Sequence, residues 1–168
     1  HNGGSRPYDL CYQATSNATP AKGISALCDK ELFPFINQRM AANKYRSFYY
    51  SGGNKERWNV GGSDPRISRN YGGFINTIGI LFESPHGFES LETGGKAGII
   101  GYHAVREFAA KHPAKVMNVV QAARRATVAM GENPEGEVMV QMKNGPEDFK
   151  VDYELRDGTK VKGGLIMK

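Results

Sequence analysis

The stretch NYGGFINTIGILFESPHG, residues 70–87, decides how this chain is read. Thr77 to Glu83 is an apolar run of strand length without polar alternation, the pattern of a strand covered on both faces in a parallel or mixed sheet. It predicts a central strand over Thr77 to Phe82, with Gly79 letting a neighbouring element approach closely. The run stops on one carboxylate, Glu83, with Ser84 and Pro85 immediately behind it. In open α/β sheets ligands gather beyond the carboxyl ends of the strands. A carboxylate placed there against Leu81 and Phe82 is partly desolvated, which raises its basicity towards that of a general base. The plainer alternative is a strand-end charge that faces solvent or caps a loop.

Working outward, Tyr8 to Ala14 reads as a short buried strand and Arg46 to Tyr50 as another. Between them Ser25 to Asn43 is helical, with Pro34 bending it or marking a second start. Ser51 to Gly73 is a Gly-rich loop, long enough that function is its usual explanation. Ser84 to Gly95 is a second loop. Lys96 to Lys111 and Pro113 to Met130 are helices expected on one face of the sheet, with Pro113 suited to a first helical turn. Asn133-Pro134-Glu135-Gly136 marks a break. Beyond it Glu137 to Met142, Phe149 to Leu155 and Lys160 to Met167 are β-like, and Asp157-Gly158 is a hairpin turn signal. The expected organisation is an α/β body over residues 1–131 and a small β appendage over 136–168 that packs on it.

Composition narrows the classes. With 168 residues the chain is of single-domain size, and 21 glycines suit a loop-rich α/β protein. The net charge of +5 is spread without a Lys/Arg run or a basic aromatic ribbon, which argues against nucleic acid as partner. No apolar stretch approaches membrane-spanning length. Cys11 and Cys28 match no zinc spacing; they are one disulfide or two buried thiols. His86-Gly87-Phe88-Glu89 spells H-x-x-E, a spacing that can converge on a metal or arise by accident in a loop. His103 reads as a helix-surface or packing residue and His112 as a helix boundary. The chain starts His1-Asn2-Gly3, without Met, as a processed product or an excised piece would.

The order of these elements resembles the C-terminal half of the catalytic domain of zinc metallocarboxypeptidases of the carboxypeptidase A/B superfamily. In that family a zinc-ligating His precedes a short apolar strand. A helix, a strand and a Gly-rich substrate loop follow, and then a buried strand ending in Phe-Glu. Here His1 precedes Tyr8 to Ala14, and RSFYY, VGGSDPRISRNYGG and INTIGILFE follow in turn; DPRISRNYGGFINTIGILFE is the most specific part. The resemblance covers roughly residues 1–130. It implies a mixed-sheet α/β/α zinc-peptidase fold, Glu83 as the catalytic base, His1 as a zinc ligand, and Zn2+ as cofactor of a longer parent. The implied substrate is a peptide with a free C-terminus and the implied location secreted or periplasmic. Arg69, Asn70 and Tyr71 fall near the segment that shapes the family's specificity pocket. Arg69 there suits an acidic side chain or an ion pair with Asp64, whereas neither Trp58 nor Tyr71 matches the family's mobile tyrosine cleanly. The family's H-x-x-E and its carboxylate-gripping arginines lie upstream of the matching region, and His86 to Glu89 follows Glu83, so it is not that motif. The isolated piece is therefore expected to be inactive, to hold zinc weakly or not at all, and to self-associate through an exposed sheet edge. A non-catalytic carboxypeptidase-like binding or structural module is the alternative.

Overall fold

The computed structural model describes residues 7–16, 22–84, 90–133 and 145–168, and the chain is mixed α/β. A first sheet is built from β1 (Leu10–Ala14), β2 (Ser47–Tyr49) and β5 (Ile80–Glu83) in the order β2-β1-β5. A second holds β3 (Ser51–Gly53), β4 (Arg57–Val60), β6 (Pro146–Glu154) and β7 (Lys160–Met167) in the order β3-β4-β7-β6. The helices are α1 (Lys22–Leu27), α2 (Phe33–Ala42), α3 (Ser68–Phe74), α4 (Leu91–Lys111) and α5 (Pro113–Glu132).

β1 is the hub. It pairs parallel with β2, Tyr12 opposite Tyr49, and antiparallel with β5, Cys11 opposite Glu83 and Tyr12 opposite Phe82. Side chains alternate along a strand, so the register sorts these residues between two faces. Tyr12 and Phe82 look towards the helices: Tyr12 stacks on Phe33 at 4.2 Å between ring centroids, and α4 lies over Leu10 and Phe82 at Gly101. A carbon added to Gly101 would sit 2.5 Å from Leu10 Cδ2, so only a bare backbone lets α4 come this near. Cys11, Gln13 and Glu83 look the other way, towards α3 and the segment 61–64.

The Ser25 to Asn43 helix forms and extends back to Lys22, with one irregularity. A π-helical turn, Cys28–Leu32, joins α1 to α2 immediately before Pro34. Proline lacks an N–H and its ring crowds the carbonyl four residues back; a widened turn relieves both. α4 and α5 lie on the same side of the first sheet, as expected of the Lys96 to Met130 helices, and α5 packs through Val119 and Ala123 on Gly23 and Ile24 of α1.

Three expectations are corrected. The apolar run 77–83 is not a central strand: among the described residues β5 lies at the edge and β1 in the middle. Ile78 and Ile80 are half-buried, covered by helices rather than by strands on both sides. Second, Ser51 to Gly73 is not one loop but carries β3, β4 and α3. Third, the loop after Glu83 ends sooner than read, because Ser90 accepts a hydrogen bond from Thr93 N–H at 3.2 Å and caps a helix that begins at Leu91.

The C-terminal strands form as β6 and β7, joined by a turn in which Gly158 has φ 84°. Glu137 to Met142 lies outside the described residues. β7 pairs parallel with β4, so the tail completes a sheet begun in the middle of the chain. It is pinned to the body by Tyr153, whose ring meets Phe48 and Trp58 and whose hydroxyl donates to Asn54 O at 2.6 Å. A largely buried ion pair between Lys168 and Asp29 adds a second anchor. Cys11 and Cys28 are both buried and not joined in a disulfide, and burial pushes the Cys28 thiol up to about 12.

Candidate functional site

Glu83 is the last residue of β5 and only 3% exposed. Its register partner Cys11 and the diagonal neighbour Gln13 share its face. Against this face stand the segment 61–64 and α3, held by an unusual density of buried polar side chains. The Gln13 amide binds both backbone groups of Gly61, donating to its oxygen at 2.8 Å and accepting from its nitrogen at 3.0 Å. Asn70, fully buried, donates to Gly62 O at 3.0 Å and Asp64 O at 2.9 Å while its oxygen accepts from Ser16 N–H at 3.0 Å. Arg69, 4% exposed, donates from Nη2 to Gly62 O at 2.8 Å. Three side chains from two elements thus lace one glycine pair to the end of β1.

Two glycines let α3 come close. A carbon added to Gly79 would lie 2.5 Å from the Arg69 carbonyl oxygen, and one added to Gly72 would lie 3.3 Å from Gly79 Cα. The close approach expected of Gly79 is therefore present, and it sets α3 on the face that carries Glu83. Gly61 is equally constrained. A carbon there would meet Gln13 Oε1 at 2.7 Å, Arg69 Nη2 at 3.0 Å and the Tyr50 ring at 3.4 Å. Those three groups converge on a single point above β1.

Burial lowers the Arg69 pKa from its ordinary value, and the nearby Tyr50 and Glu83 side chains act in the opposite direction. Asp64 does not pair with Arg69. It accepts from Arg66 Nη2 at 2.6 Å and from Arg66 N–H at 2.9 Å, which holds its carboxyl down at about 2. The physical reason is reach: Asp64 and Arg66 sit on the outer rim of a tight turn, whereas Arg69 points beneath it to Gly62.

The other predicted residues are scattered. Tyr71 follows Arg69 and Asn70 on α3 but is 60% exposed, beside the equally open Phe74 and Ile75. Trp58 is buried and donates to Tyr49 O at 3.1 Å, so it belongs to the core between the sheets. His103 stands exposed on α4 beside Tyr102, and His112 caps the start of α5 against the Phe108 ring. His1, His86 and Glu89 lie outside the described residues. Gln13, Ser16 and Gly61 were missed in the sequence. Gln13 sits in an otherwise apolar strand, and that misplaced polarity was the available signal.

Around Glu83 stand amides, a hydroxyl, a thiol and a guanidinium, and the described residues contain no cluster of three or more His, Cys, Asp or Glu that could hold a metal ion. No helix among the described residues is long and apolar enough to cross a membrane. No family model matches the chain, and neither a curated protein nor a solved structure matches it.

Proposed function

We propose that this chain is the C-terminal part of a zinc-dependent carboxypeptidase catalytic domain, a hydrolase that cleaves a C-terminal peptide or related amide bond, with Glu83 as general base. The observation that carries the reading is a buried carboxylate at the carboxyl end of an apolar strand, on a sheet face where buried Gln13, Arg69 and Asn70 stand beside the Phe48 part of the core. The order of elements that the resemblance calls for supports it: strand, helix, strand, Gly-rich segment, strand ending in Phe-Glu. In this reading Glu83 takes a proton from the attacking water and returns it to the leaving amine, and the rigid strand end holds it for both transfers. Tyr71, exposed on α3, is the member of this segment open to a substrate side chain, whereas Arg69 is buried beneath the Gly61-Gly62 turn. In this reading zinc ligation falls to His1 and to residues of a longer parent.

The experiment is Glu83→Gln in the full-length gene product, assayed on peptides with a free C-terminus. A base of this kind contributes at least about 10²-fold to kcat, and that is the expected loss. Zinc content and folding should be unchanged, because Gln keeps the shape. Near-normal turnover in Glu83→Gln, or no peptidase activity in the parent, overturns the reading in favour of a non-catalytic module.

A further inference from the structure

Between the helices and the first sheet lies a cavity of about 150 Å³. Ile78 and Ile80, two apart on the run into β5, form one wall, and Phe108 of α4 and Val116 of α5 form others. Leu27 and Leu32 close it from the junction of α1 with α2. On a regular α-helix two side chains five residues apart would point about 140° away from each other. Here Phe33 N–H donates to Cys28 O, a bond that spans five residues, and the widened turn lets both leucines line one space. Outside the cavity Lys115 pairs with Glu31, tying α5 beside Val116 to the turn beside Leu32. No wall side chain carries a hydrogen-bonding group, whereas a water in a cavity needs about two to four polar partners. Ile78, Ile80 and Val116 are only half-buried and Ala109, also on the wall, is exposed, so the cavity reaches the surface beside α4. Close-packed interiors hold few voids larger than a water molecule, and a hole of this size is explained by an occupant.

We propose that this cavity is a binding site for a small apolar molecule built on one aromatic ring, held by burial and dispersion alone. Volume and lining together set the class. A cavity of about 150 Å³ walled by leucine, isoleucine and phenylalanine stays dry and accepts benzene. Phe108 supplies a ring edge or face, which favours an aromatic occupant over an aliphatic one of equal size. The occupant is a free molecule rather than a partner's side chain, because one ring fills the space and the apolar walls have nothing to offer the amide groups of an attached backbone. The site lies on the helix face of the sheet, on the other side from Glu83, and does not rest on the peptidase reading.

The test is methyl-detected NMR of the full 168-residue chain titrated with benzene. Saturable shift changes are expected at Leu27, Leu32, Ile78, Ile80 and Val116, with none at Leu91 and Ile99, which stand exposed on α4 away from the cavity. Changes that grow without saturating, or that are as large at Leu91 and Ile99, mean solvation of apolar surface and overturn the proposal. Ala109→Leu sets a larger side chain at the opening of the cavity on a helix that tolerates leucine, and should weaken benzene binding at least about tenfold. Unchanged affinity overturns the proposal. Should Ala109→Leu fail to fold, Val116→Ile narrows the cavity from α5 by one methylene and is read in the same way. N-acetylphenylalaninamide carries the same ring on a peptide backbone and should bind at least about tenfold more weakly than benzene, because its amide groups meet apolar walls. Binding as tight as that of benzene, or tighter, hands the cavity to a partner's side chain and overturns the assignment to a free molecule.

Discussion

The two faces of the β2-β1-β5 sheet are made by alternate residues of the same strands and yet do different work. On one face Leu10, Tyr12, Ala14 and Phe82 meet α2 and α4 through rings and aliphatic carbons. Even the imperfection there is apolar: a cavity of about 150 Å³ is lined by Leu27, Ile78, Ile80, Phe108 and Val116 among others. On the opposite face Phe48 still packs in the core, but towards α3 Gln13, Arg69 and Asn70 hold the Gly61-Gly62 backbone through hydrogen bonds, with buried Glu83 on the same face. Burial on the first face stabilises the chain in proportion to area removed from water. Burial on the second is costly unless every polar group finds a partner.

The comparison breaks most readily at Phe33. Its ring is 1% exposed and packs between Tyr12 and Tyr49. Phe33→Ala should destabilise by about 3–5 kcal/mol, the range for a buried aromatic truncated to a cavity. Denaturant unfolding measures this, and the Glu83 titration in the surviving folded state should not move. A shifted Glu83 midpoint would show that the two faces are not independent.

Gln13 sharpens the contrast from the other side. Gln13→Ala strips both partners from the backbone of Gly61 and leaves them poorly solvated, at a cost of about 1–3 kcal/mol. That is less than for Phe33, but the consequence should be local. Amide exchange at Gly61 should rise well above that of β1, whereas exchange in α2 should stay as in the parent chain. Uniform loosening of both regions would mean that Gln13 is an ordinary core residue.

Much of the apolar face was legible in the sequence. β1, the Pro34 irregularity, α5 and the Asp157-Gly158 turn each follow from local pattern, because apolar spacing, proline and φ-permissive glycine act over a few residues. The polar face was legible only at Glu83 and, in part, at Arg69 and Asn70. Its remaining members are recognisable only once β1 has brought Gln13 to Gly61, 48 positions away. β3 and β4 were missed for a related reason: Gly52 and Gly53 have low strand propensity, and β4 gains its pairing from β7 at the far end of the chain. The edge position of β5 was misread because an apolar run reports that a strand is covered, not whether strands or helices cover it. Gly94 and Gly95 read as a loop, yet Gly94 lies inside α4 where the helix passes Ser84, a carbon there falling 3.5 Å from Ser84 Cβ.

The smallest effect concerns the rim of the polar face, where exposure should reduce electrostatics to a local matter. Asp64 is paired with Arg66 in full view of solvent, and the Arg66 side chain is the main reason its carboxyl sits at about 2. An aspartate depressed on folding stabilises above its unfolded pKa of about 3.9 and loses that contribution as pH falls. The relevant window therefore runs downward from about 4 to about 2, and nothing should change at neutral pH. Solvent and salt screen an exposed pair, so the effect on unfolding should be slight and should shrink further as salt is raised. The sensitive readout is the Asp64 titration. Arg66→Met should return its midpoint most of the way to the ordinary aspartate range, leaving only the backbone N–H of residue 66 to hold it down. Asn70 should still bind the Asp64 carbonyl, because that bond involves neither side chain of the pair. A titration of Glu83 that moved along with Asp64 would join rim and buried face into one electrostatic unit, and the distinction between a solvated edge and a working interior would have to be redrawn at Gly62.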